Sequence, residues 1–114
     1  MNPKVIKRLE DAFDACERAQ GFLKGIPLDT FLNSELLRSA VERQLEIIGE
    51  ALNAASKQDD SLEKIIPDLP RIIGLRNRLI HGYDSADPEI VWDVVKCNIP
   101  SLLKQLKQAC DRQE

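Results

Sequence analysis

The chain of 114 residues (12.9 kDa) is 43% hydrophobic and 31% charged, the balance of one globular domain spanning 1–114 rather than of a disordered or fibrous polymer. Its formal net charge of -3 argues against a protein that coats nucleic acid indiscriminately. No run approaches the ~20 apolar residues of a membrane span, and the charged opening MNPKVIKRLEDAF is unlike a signal peptide, so a cytoplasmic protein with no membrane attachment is expected.

The apolar period is helical throughout, and no convincing strand is present. Ile6, Leu9, Phe13 and Cys16 recur at steps of three and four, which predicts a first helix opened by Pro3 and ended at Gly21 or Gly25. GIPLDTFLNS reads as a connection with Phe22, Leu28, Phe31 and Leu32 tucked onto the core. Ser34 is placed to cap a second long helix whose stripe is Leu37, Val41, Leu45, Ile48, Leu52 and Ala55, ending near Lys57. Gly49 interrupts that stripe, and a close approach of a neighbouring helix is a reason for it.

SLEKII predicts a short helical turn. Pro70 then opens a helix through RIIGLRNRLIH that Gly82 stops. Asp87, Pro88 and Glu89 spell another helix start, continued by Ile90, Val94, Leu102 and Leu106, with Trp92 packing at its start. Pro100 should kink that helix or split it. The expected fold is all-α, an up-and-down bundle of four to five helices.

Cys16, Cys97 and Cys110 form an odd set without C-x-x-C spacing, and each lies on or beside an apolar stripe. They are expected to be free thiols acting as core filler in a reducing compartment. One histidine and three scattered thiols offer no usual zinc spacing, so neither a metal nor another cofactor is expected.

Chemistry concentrates in RNRLIHGY, residues 76 to 83, which holds the only histidine and the only tyrosine of the chain. From Lys64 to Tyr83 there are four basic residues (Lys64, Arg71, Arg76, Arg78) against one acid, Asp68, whereas the remainder carries 12 basic and 18 acidic residues. On an ideal helix Arg76 and His81 stand about 140 degrees apart, and Arg78 and His81 are nearly stacked. An imidazole can take the proton from a ribose 2′-hydroxyl. A guanidinium can hold two phosphate oxygens and stabilise the charge of a pentacoordinate transition state. Together they meet the needs of metal-free RNA cleavage by internal transesterification, except for an acid at the leaving 5′-oxygen. With one histidine per chain, a two-fold dimer would have to supply that acid. The plainer alternative is a basic helix end, its arginines paired with Glu46 or Glu50, which are four apart on one helical face.

Three blocks in order, LEIIGEA (45 to 51), IIGLRNRLIHGY (72 to 83) and EIVWDVV (89 to 95), resemble the HepT-like branch of the HEPN proteins. So do the opening RLEDAFDACERAQGFL and the proline of the last helix. The pattern R-x-x-x-x-H-x-Y is matched by Arg76, His81 and Tyr83. The resemblance implies a ribonuclease toxin of a toxin–antitoxin pair: a symmetric helical homodimer that cleaves RNA, transfer RNA among its targets, in a cleft at the subunit interface without a metal. It implies catalytic roles for Arg76 and His81, an orienting role for Asn77 and an RNA contact at Arg78; Arg71, in the same basic stretch, is a further candidate RNA contact. It further implies an MntA-like nucleotidyltransferase antitoxin that silences the toxin by transferring AMP from ATP to Tyr83. A non-catalytic, nucleotide-binding partner module of a minimal nucleotidyltransferase complex is the competing reading, and a purely structural helical dimer a third.

Overall fold

In a computed structural model the described residues are 1–81 and 87–111, with Ile80 and His81 described in their backbone only. Every element among them is helical: α1 (Pro3–Leu23), α2 (Leu28–Asn33), α3 (Glu35–Gln58), α4 (Leu62–Ile65), α5 (Leu69–His81), α6 (Pro88–Asp93), a π-helical turn (Val94–Asn98) and α7 (Ile99–Asp111). The all-α expectation holds, with four long helical segments and the short α2 and α4 between them. The connection at GIPLDTFLNS contains a helix of its own.

The caps follow from the side chains available. Asn2 accepts a hydrogen bond from the Lys4 backbone N–H at 2.8 Å ahead of Pro3, and Ser34 accepts one from Leu37 N–H at 3.1 Å. Asp87 accepts from Glu89 N–H at 2.9 Å, with Pro88 in the first turn. Each side chain satisfies an amide that the first helical turn leaves open. Gly25, at φ +73°, turns the chain away after α1 in a conformation that a Cβ would strain.

α1 and α3 form the central pair. Arg18 Nε donates to Gln44 Oε1 at 2.8 Å while Arg8, ten residues earlier, borders the same groove as Glu50, so the two helices run antiparallel. α5 packs on α3, and α7 packs on α1. The core stripe of α1 is Val5, Leu9, Ala12, Cys16, Ala19 and Leu23, all fully buried, whereas Ile6 and Phe13 lie at its edge. Its alanines let α3 come close with Val41, Leu45, Ile48, Leu52 and Ala55.

Four apolar positions depart from expectation. Phe22 and Leu28 are exposed, leaving Phe31 as the fully buried anchor of the connection with Leu32 beside it. In α6 the buried residue is Val91, and Ile90 is exposed. IVWDVV offers two apolar tracks, Ile90 with Val94 and Val91 with Val95; Val91, Val94 and Val95 are all buried, and Ile90 alone is left outside. Cys97 is exposed rather than core filler, while Cys16 is buried and Cys110 half-buried.

The helix through Pro100 is divided by the π turn. Ile99 N–H bonds to the Val94 carbonyl, five residues back, and the wider turn relieves a proline that lacks an N–H and crowds the preceding carbonyls. Trp92 does pack at the start of this rod, against Phe31 with ring centroids 5.5 Å apart. Lys96 lies 4.9 Å over the Trp92 ring and donates to the Leu23 carbonyl at 3.2 Å, tying the rod to the end of α1. Among the described residues no helix is long and apolar enough to cross a membrane.

Candidate functional site

The site begins with the way α5 sits on α3. Ile72 and Leu75 are buried, which turns the next position of that ridge, Arg76, onto α3 at Gly49. A Cβ on Gly49 would lie 2.1 Å from Arg76 Cβ and 2.6 Å from its Cγ. No side chain larger than hydrogen fits there without moving Arg76. The close approach expected at Gly49 is thus made by the stem of the motif arginine.

With its stem seated in this notch, Arg76 holds its guanidinium beside Asn77 and Glu50. Its Nη1 donates to Asn77 Oδ1 at 3.0 Å, and its Nη2 stands 3.8 Å from Glu50 Oε1. Its Nε is buried with no hydrogen-bond partner among the described residues. The Arg76 side chain is 25% exposed and that of Glu50 45%. The arginine is therefore half-sheltered behind a carboxylate that water still reaches. Such a guanidinium can take a phosphate in place of the carboxylate, since both present oxygens to the same fork of donors.

Of the two glutamates expected to pair with the motif arginines, only Glu50 does so among the described residues. Glu46 accepts from Arg43 at 3.2 Å instead. Asn77 is exposed next to Arg76 and touches it directly; Arg78 and Arg71 are exposed on α5. His81 is the last described position of α5, one turn beyond Asn77 and five residues beyond Arg76. Its side chain, Gly82 and Tyr83 lie outside the described residues, as do the expected helix stop at Gly82 and the modification point at Tyr83. The structure therefore joins Arg76, Asn77 and Glu50.

Two features of the surroundings were not anticipated. Glu50 also borders a groove of about 230 Å³ between α1 and α3, opposite Arg8, Asp11, Asp14 and Arg18. The spacing 8, 11, 14, 18 along α1 places these charges on one helical face, a signal present in the sequence but mute about what it faces. Glu42, two turns before Glu50, has its carboxyl pushed above the ordinary value by burial; Arg38 opposes this and Glu46 adds to it.

Comparison with known proteins gives one family description over most of the chain: residues 12–109 match "Ribonuclease HepT-like". The chain is 40% identical over 101 residues to "Putative RNase MJ1380" of Methanocaldococcus jannaschii, covering 87% of this chain and 86% of the relative. It is 33% identical over 106 residues to "Putative RNase TTE0752" of Caldanaerobacter subterraneus, covering 93% and 94%. To "Probable ribonuclease HepT" of Thermococcus cleftensis it is 35% identical over 96 residues, covering 82% and 84%. No solved structure matches the chain.

Proposed function

This chain belongs to the HepT-like ribonuclease family, and from that premise we propose that it is a metal-independent endoribonuclease toxin acting in the cytoplasm as a homodimer. The observation that carries the proposal is the seating of Arg76: a fixed stem at Gly49 and a guanidinium offered at the surface beside Asn77 and Glu50.

In the proposed reaction one His81 imidazole takes the proton of the ribose 2′-hydroxyl, and the 2′-oxygen attacks phosphorus. The bond from phosphorus to the 5′-oxygen breaks, and the partner subunit's His81 protonates that oxygen. The products are a 2′,3′-cyclic phosphate and a free 5′-hydroxyl. Arg76 binds the non-bridging oxygens as charge grows on them, Asn77 holds its orientation, and Arg78 and Arg71 contact flanking phosphates. Transfer RNA is the proposed substrate. An MntA-like nucleotidyltransferase is the proposed antitoxin, moving AMP from ATP to the Tyr83 hydroxyl and releasing pyrophosphate. The added bulk and negative charge would stand two residues from His81, where RNA phosphate must bind.

The test is transfer RNA incubated with purified protein in excess EDTA. Wild type should cut it, while Arg76→Ala and His81→Ala lose at least ~100-fold in rate. Tyr83→Phe should cut normally yet resist the antitoxin. Absence of cleavage by wild type, or equal cleavage by His81→Ala, overturns the reading.

A further inference from the structure

The neighbours of Arg76 do more than identify it. Its stem is immobilised by the Gly49 notch, so orientation is left to the last bonds of the side chain, and there Glu50 and Asn77 are its polar contacts among the described residues. Asn77 is the adjacent residue on the same helix and cannot pull the guanidinium towards α3. Glu50 can. At 3.8 Å its carboxylate is well beyond the ~2.8 Å of a tight charge-assisted hydrogen bond. It attracts the guanidinium without locking it. Glu50 is also the more exposed of the two partners, so an incoming anion meets it first.

We infer that Glu50 is a positioning residue that holds Arg76 in its firing orientation and is displaced by the RNA phosphodiester as substrate binds. This rests on the ribonuclease reading above and adds a role that the motif itself does not contain. Two consequences follow from the charges. In the free protein Glu50 partly neutralises Arg76, so the ground-state affinity for RNA is lower than the arginine alone would give. In the transition state the phosphate carries more negative charge and outcompetes the carboxylate, while the arginine is already aimed. Removing the carboxylate should therefore tighten RNA binding and slow cleavage, a split that a merely structural residue would not produce.

The experiment is a double-mutant cycle on binding, run in a His81→Ala background with unfractionated transfer RNA so that nothing is cut, alongside steady-state cleavage by the singly substituted proteins. Glu50→Gln should tighten binding about 3- to 10-fold when Arg76 is present and leave it unchanged in Arg76→Ala. Glu50→Asp, which keeps the charge, should restore binding towards the starting value. In cleavage, Glu50→Gln should lower kcat by ~10-fold or more while KM falls. Gly49→Ala provides a second reading: with Arg76 displaced, the effect of Glu50→Gln on binding should disappear.

Equal tightening with and without Arg76 would mean that Glu50 merely repels RNA, and would overturn the inference alone. So would a drop in kcat accompanied by a rise in KM. If transfer RNA does not bind at all, the ribonuclease reading falls, and this inference with it.

Discussion

Arg76 and Glu50 could be picked out of the sequence, but not joined. The arginine is marked by its motif. Glu46 and Glu50, four residues apart on one face, are interchangeable candidates until the crossing point of α5 over α3 is known, and Gly49 sets that point beside Glu50. The same ridge carries Glu42, which tests how much burial matters here. Its carboxyl holds its proton more tightly in the fold than in the unfolded chain, mainly through burial, against Arg38 and with Glu46. Stability should therefore fall as pH rises from the ordinary carboxylate range through the raised value, and the loss is complete above it. Glu42→Gln should melt higher than wild type at pH 7, by roughly 1–3 °C given partial exposure. At acid pH, below both values, the difference should vanish. A lower melting temperature at pH 7 would mean that Arg38 outweighs burial.

At the scale of the element, two glycines of opposite meaning lie in the α3–α5 pair, one inside the contact and one on the outer face of α5. Gly74 is exposed in mid-helix, and a Cβ there meets no atom within 4 Å, whereas at Gly49 it meets Arg76. Gly74→Ala should stabilise the protein by about 1 kcal/mol through helix propensity and reduced freedom of the unfolded chain. Gly49→Ala should destabilise it, since a fixed Cβ overlaps a seated stem. Urea denaturation of both variants checks the pair, and a stabilised Gly49→Ala would show that the notch is not tight. The same contrast separates what sequence can and cannot tell. Helix starts at Pro3, Ser34 and Asp87 were legible because a cap needs only local residues. The division at Pro100 was legible as well, but not its form. A π turn is chosen by how the rod must pack afterwards, and the burial of Val91 over Ile90 is chosen the same way.

On the scale of the molecule, the decisive inference comes from counting. A transesterification that uses a base on one side of the phosphate and an acid on the other needs two proton carriers, and the chain has one histidine. The proposed two-fold dimer closes that gap by repetition, and it makes a quantitative demand. If each cleft needs His81 from both subunits, a pairing of wild type with His81→Ala is dead. Refolding equal amounts of the two together gives a statistical mixture of pairs, of which only wild-type homodimers cut. Cleavage should fall to about one quarter of that of the same total protein in wild-type form. Diluting wild type below its dimerisation constant should lower the rate per chain as well. A decline to one half in the mixing experiment, with no dependence on dilution, would place a complete set of proton carriers within each subunit. The acid would then have to be sought among groups other than histidine.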